Sequence, residues 1–260
     1  MSAPALRRAL VRPPAASFAD GLTTSELGPP DVALALEEHA RYCEALQACG
    51  LTLIRLAPDA RHPDSTFVED TAVIASGLAV VTRPGAPSRR GEVEEIRAAL
   101  TGLGLAAAEI REPGTLDGGD VAEIGRRVLV GLSERTNEEG ARQLADFLSP
   151  LGFTCATVDI RGIPGLLHLK TGLFPIDAGT VLATEAIAHH AALDGLRVVR
   201  VAAGEEYAAN AIAVNGRVLV PAGHPALARA LRAEGRDVLE VEMSEFRKMD
   251  GGLSCLSLRF

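Results

Sequence analysis

The sequence predicts an α/β fold built as a ring of five strand–strand–helix–strand units, the first of them closed by the N- and C-terminal strands. Three observations carry this reading. Hairpin-like segments recur at 71–85, 120–133, 171–185 and 210–223. Most are followed by a helical stretch and then a short apolar strand. The remaining helix, at 31–50, lacks a local hairpin, and strands for it are available only in "LRRALVRPP" and in "LSCLSLRF" at the other end of the chain.

Each element has its own warrant. "DVALALEEHARYCEALQACG" is periodic at helical spacing and leads into the strand "LTLIRLA". "TAVIASGLAVVTRPG" turns at Ser76-Gly77. After it, "RRGEVEEIRAALTGLG" reads as a helix with Ser88 as its N-cap, then "LAAAEIRE" as a strand. "DVAEIGRRVLVGLS" turns at Gly125-Arg126 and is followed by the helix "NEEGARQLADFLSPLG" and the strand "FTCATVDI". "TGLFPIDAGTVLATE" turns at Ala178-Gly179, with only a short helix near 186–194 before "LRVVRVA". "NAIAVNGRVLVPAG" turns at Asn215-Gly216, the strongest two-residue hairpin signal in the chain, ahead of "HPALARALRAEG" and "RDVLEVEM". Leu253 to Phe260 reads as an apolar, alternating strand. With no linker or low-complexity tract, residues 1–260 read as a single domain.

Composition narrows the function. The net charge of -8 argues against a nucleic-acid partner, which needs a basic face. Trp is absent and aromatics make up 3%, so stacking platforms for bases or sugars are scarce. The acidic balance suits a cationic small molecule. No apolar run is long enough to span a bilayer, and the start "MSAPALRRALVRPP" lacks the apolar core of a signal peptide. Cys43, Cys49, Cys155 and Cys255 form no disulfide framework, so a reduced, cytoplasmic protein is expected.

A ring of repeats brings equivalent strand starts around one axis. At those points lie Asp64, Glu69 and Asp70, then Asp117 and Asp120, then His168, Asn210 and Cys255. A thiolate is a nucleophile, an imidazole can protonate a leaving group, and a carboxylate can orient that imidazole. Further carboxylates can grip a planar cation such as a guanidinium. Each residue alone also has a plain structural explanation: a packed thiol, a core histidine, or, for "DGGD", a turn. His189, His190 and His224 read as surface residues without a role. No tight metal-ligand spacing occurs, so no metal is expected.

These segments together resemble the dimethylarginine dimethylaminohydrolase family of the guanidino-modifying (pentein) superfamily. The resemblance runs end to end, through "FVEDTAV", "TRPGAPSRRGEV", "LDGGDV", "SERTNEEGARQ", "LHLKTGL", "YAANAI" and "EFRKMDGGLSCLSLRF". It implies a five-bladed α/β propeller of ββαβ units. It implies hydrolysis of methylated arginines to citrulline through a covalent cysteine intermediate, without cofactor. Cys255 matches the nucleophile, His168 the general acid and base, and Asp117 the carboxylate behind it, where the family often has Glu. Asp64, Glu69 and Asp70 match the guanidinium-binding acids, and Arg89 and Arg135 the pair that holds the substrate carboxylate. Leu22 matches a lid residue, and Met249 a backbone carbonyl for the substrate amine. His168-Leu169-Lys170 departs from the His-x-Asp of arginine deiminases, which favours methylated over free arginine. An arginine deiminase or amidinotransferase is the alternative within the superfamily, and a non-catalytic arginine-derivative binder the alternative outside it. Exposed blade helices would suit a homodimer.

Overall fold

The computed structural model describes residues 5–260. Its strands form five three-stranded sheets arranged as the blades of an α/β propeller. In each blade the inner pair of strands is antiparallel and the outer pair parallel. A parallel pair needs a crossover, and four blades supply it with a helix. These are α1 (Val32–Ala48), α2 (Val93–Gly102), α3 (Glu138–Leu148) and α4 (Pro225–Ala233). The fourth blade crosses over with only a 3-10 turn at Ala191–Leu193.

Sequence dictates these elements locally. Asp31 caps α1 by accepting from the Ala33 and Leu34 amides at 2.9 and 3.2 Å. Asn137 caps α3 by accepting from the Gly140 amide at 2.8 Å. Ala141, Leu144 and Leu148 then fall on one face of α3 and are buried against their blade. Each fully buried leucine of this kind contributes roughly 1.5–3 kcal/mol. The Asn215-Gly216 turn has φ of 49° and 89°, the left-handed pair that a type I′ hairpin requires.

The two ends of the chain share one sheet, as expected. The strand Arg8–Val11 pairs antiparallel with Leu258–Arg259 and parallel with Thr52–Arg55. Within that closure one expectation is corrected. Leu253–Phe260 is not one strand: Ser254–Leu256 form a 3-10 turn and only Leu258–Arg259 pair as strand. Ser88 is not a cap either, since it lies inside a 3-10 turn that begins at Pro87 and precedes α2. His224, expected at the surface, is buried edge-on against the Tyr207 ring.

A single feature positions the site. Every inner strand is preceded by a short helical turn: Val68–Thr71, Gly118–Asp120, Leu169–Gly172, Glu206–Ala209 and Ser254–Leu256. The polar residues singled out in the sequence sit on these turns or beside them.

Candidate active site

Asp117 immediately precedes the Gly118–Asp120 turn and is fully buried. Its Oδ1 accepts from the Gly85 amide at 2.9 Å, and its Oδ2 lies 3.1 Å from His168 Nε2. The two glycines that follow are required by close approach. A Cβ on Gly118 would sit 1.9 Å from the Glu69 carbonyl oxygen, and one on Gly119 would sit 2.8 Å from His168 Cγ and Asp70 Oδ1. The "DGGD" run is therefore a passage of bare backbone between two functional side chains.

His168 caps the short helix Leu169–Gly172. Burial works against its charge, but Asp70, Asp120 and Asp117 outweigh burial and raise its pKa to about 9. The imidazole is thus protonated at neutral pH. Asp70 accepts from the Gly119 amide at 2.8 Å and from Arg89 Nη1 at 2.6 Å. Burial would raise its pKa, yet His168 and Arg89 hold it below the usual carboxylate range.

Cys255 lies on the Ser254–Leu256 turn, nearly buried, with its Sγ accepting from the Gly252 amide at 3.5 Å. Burial, then the charges of Glu69 and Asp70, push the thiol up to about 12; the Gly252 amide and Lys170 act in the other direction. The Tyr207 hydroxyl donates to the Gly251 carbonyl at 2.8 Å, fixing the glycine pair ahead of Cys255.

Cys255, His168, Asp117, Asp70, Asp64, Arg89, Arg135, Leu22 and Met249 all line one small cavity of about 30 Å³. That is room for little more than a water or two. The segment that carries Leu22 is pinned from several sides. The Leu22 amide donates to both Asp64 oxygens, at 3.1 and 3.2 Å. Thr23 Oγ1 donates to the Lys248 carbonyl, and Thr24 donates to Asp250 through both its amide and its hydroxyl. Burial pushes the Asp64 carboxyl up, while Arg89 and Arg135 pull it down.

The two arginines differ. Arg89 is buried and bonded to Glu92, Asp70 and the Phe67 carbonyl, which leaves by count a single N–H free on Nη1. Arg135 is half-buried and has no salt bridge among the described residues. Glu69, grouped with the guanidinium-binding acids on resemblance, does not line the cavity. Its carboxylate receives Lys170 Nζ at 2.6 Å and the Ser254 hydroxyl at 2.5 Å. Asp120 is also turned away. It accepts from Ser133, Thr136 and the Leu169 amide, and burial raises its pKa to about 6.

Sequence reasoning gave no role to Lys170, Asn210 or Ser254, which surround the Cys255 turn. Their position on the inner turns, or directly after one for Asn210, was the available signal. Asp70, Asp117 and His168 offer ligand atoms within 4.8 Å of one another. Their carboxylates are already engaged by Arg89 and by the Gly119 and Gly85 amides, so the donor set is occupied from within. Among the described residues no helix is long and apolar enough to cross a membrane.

Fold and site define a propeller with a cysteine-centred acidic cavity at its hub. No protein-family model matches the chain. It is 43% identical over 252 residues to an N(G),N(G)-dimethylarginine dimethylaminohydrolase of Pseudomonas aeruginosa, covering 96% of this chain and 98% of the relative. A second protein of that name, from Streptomyces coelicolor, is 38% identical over 257 residues, covering 97% of this chain and 96% of the relative. Among solved structures, the Pseudomonas aeruginosa enzyme, as a cysteine-to-serine mutant complexed with citrulline, superposes with a TM-score of 0.95 at 42% identity, over 99% of this chain and 100% of the other. The N-terminal domain of ArgZ, an arginine dihydrolase, shares the fold with a TM-score of 0.87 at 21% identity, over 98% of this chain and 97% of that domain. The chain belongs to the dimethylarginine dimethylaminohydrolase family.

Proposed function

We propose that this protein hydrolyses N-omega-methylated arginines to citrulline, releasing dimethylamine or methylamine. The observation that carries the reading is one cavity lined by a thiol, a protonated imidazole backed by a buried carboxylate, and two further acids. A relative of this name solved with citrulline supports it.

The geometry suits a two-stage reaction. Asp70 and Asp64 draw the guanidinium in, and Arg135, with the remaining N–H of Arg89, receives the substrate carboxylate. Leu22 and Met249 meet the substrate through their backbones. In the resting protein Cys255 is a neutral thiol. A cationic substrate beside it offsets the neighbouring acids and favours loss of the thiol proton. The thiolate attacks the guanidinium carbon and a C–S bond forms. His168 then donates its proton to the departing amine as the C–N bond breaks, leaving a thiouronium. The neutral imidazole takes a proton from water, which attacks the same carbon. The C–S bond breaks, the leaving thiolate takes the proton of the new C–OH group as its C=O forms, and citrulline leaves. The proton first lost from the thiol passes through solvent to the released amine. Asp117 keeps the imidazole oriented throughout. The scheme needs no metal or organic cofactor.

Methylated rather than free arginine is supported by Lys170, which is committed to Glu69 and offers the terminal nitrogens no second acid. The reading takes 1–260 as one catalytic domain, which the sheet shared by strands near both ends supports. It includes a cytoplasmic setting, supported by four free cysteines, and a homodimer, for which exposed Leu34 and Leu36 on α1 offer apolar contact. A citrulline-release assay with arginine, monomethylarginine and both dimethylarginine isomers tests the substrate. Turnover of arginine alone overturns it.

A further inference from the structure

Behind the nucleophile lies a closed ring of hydrogen bonds that the reaction scheme leaves unused. Lys170 Nζ donates to Glu69 Oε1 at 2.6 Å, with both side chains almost wholly buried. The other Glu69 oxygen accepts from Ser254 Oγ at 2.5 Å. The Ser254 amide donates to Asn210 Oδ1 at 2.9 Å, and Asn210 Nδ2 donates to the Lys170 carbonyl at 3.2 Å. Glu69, Lys170 and Ser254 lie on the inner turns of three blades, and Asn210 directly follows that of a fourth. Ser254 is the residue before Cys255, so the ring fixes both the backbone and the side chain next to the sulfur.

We propose that Glu69 and Lys170 are positioning residues for the nucleophile: Glu69 anchors Ser254, and with it the Cys255 sulfur, while Lys170 offsets the negative charge that Glu69 sets against the thiolate. Glu69 is then not a guanidinium ligand. The inference rests on the hydrolase reading for what the nucleophile does, and departs from the role that family resemblance implies for Glu69. Both Glu69 oxygens face protein donors, with Arg259 Nη2 also reaching Oε1 at 3.4 Å, and the side chain is absent from the cavity wall. Asp70 is the other carboxylate whose charge acts on the thiol. A buried carboxylate beside a thiol opposes its ionisation, and a bound ammonium reduces that opposition. The directions in which Glu69 and Lys170 act on Cys255 agree with this division.

The test is the pH dependence of Cys255 alkylation by iodoacetamide in the substrate-free protein, together with steady-state kinetics on dimethylarginine. Glu69→Gln keeps an acceptor for Ser254 but removes the charge. Its alkylation midpoint should fall by about one pH unit, with KM within about two-fold of the parent. Lys170→Met should raise the midpoint and lower kcat about ten-fold or more at little change in KM, and Lys170→Arg should restore both. A Glu69→Gln protein with KM raised about ten-fold and an unmoved midpoint makes Glu69 a substrate ligand and overturns the proposal. An unmoved midpoint in Lys170→Met overturns the charge-offset role. Should Lys170→Met not fold, the neutral pair Glu69→Gln/Lys170→Met replaces it: a midpoint above that of Glu69→Gln alone supports the charge-offset role, and one equal to that of Glu69→Gln overturns it. If the parent releases no citrulline from any methylated arginine, the hydrolase reading fails, while the alkylation midpoints still decide the roles of Glu69 and Lys170.

Discussion

His168 should make the stability of this protein fall steeply across mildly alkaline pH. Its pKa is raised from 6.5 to about 9 in the folded state. Below pH 6.5 the folded and unfolded chains both hold the proton and the full stabilisation is present. As pH rises the unfolded chain releases it first, so stability is lost until the folded pKa is passed near 9. A shift of this size corresponds to roughly 3 kcal/mol, most of it lost within the window. The window is clean. His39, depressed to about 4, titrates below 6.5, and so does Asp120 at about 6. Cys255, raised from 9.0 to about 12, acts only above 9. Urea unfolding at half-unit steps from pH 6.5 to 9 should show a loss of roughly 2–3 kcal/mol in the parent and a nearly flat profile in His168→Gln. Asp117→Asn should have an intermediate slope, because Asp70 and Asp120 still face the ring. A flat parent profile, or the same slope in His168→Gln, would refute the assignment of the charged imidazole.

Other outcomes follow from the same geometry. Cys255→Ser should lower citrulline release by at least about 10³-fold while still binding dimethylarginine in calorimetry. Arg135→Gln removes a cation with no salt-bridge partner among the described residues, so it should raise KM by about 10- to 100-fold with folding unchanged by circular dichroism. Gly119→Ala drives a methyl into His168 and Asp70 and should cost about 1–3 kcal/mol in thermal unfolding as well as turnover. Asp250→Gly keeps the backbone, whose φ is +56°, but frees Thr24, so limited proteolysis should cut within 21–28 faster than in the parent.

The blade count was legible because turn chemistry is local: Ser76-Gly77, Gly125-Arg126 and Asn215-Gly216 each join two strands at two-residue spacing. The position of Cys255 beside the first strand followed from counting blades, and the convergence of Cys255, His168 and Asp117 on one cavity followed from their place ahead of inner strands. The direction of Glu69 was not legible. Glu69 and Asp70 are consecutive on a 3-10 turn, where neighbouring side chains diverge by about 120°, so one faces Arg89 and the other faces Lys170 and Ser254. Strand alternation in "LSCLSLRF" likewise hid the turn at Ser254–Leu256, since an apolar helical turn and an apolar strand read alike over three residues. His224 was misread because its cover, Tyr207, lies across the same blade, on the turn that precedes its inner strand.

The sheet that joins Arg8–Val11 to Leu258–Arg259 brings together segments about 250 residues apart, whereas each other blade is assembled from neighbouring chain. Loop closure over such a span makes this blade the slowest to form and the first candidate to open on its own. Cys255 sits at its threshold, on the turn before Leu258–Arg259. Partial opening of that seam would silence the thiol while four blades stay folded, so loss of activity should precede loss of bulk structure when the protein is gently heated.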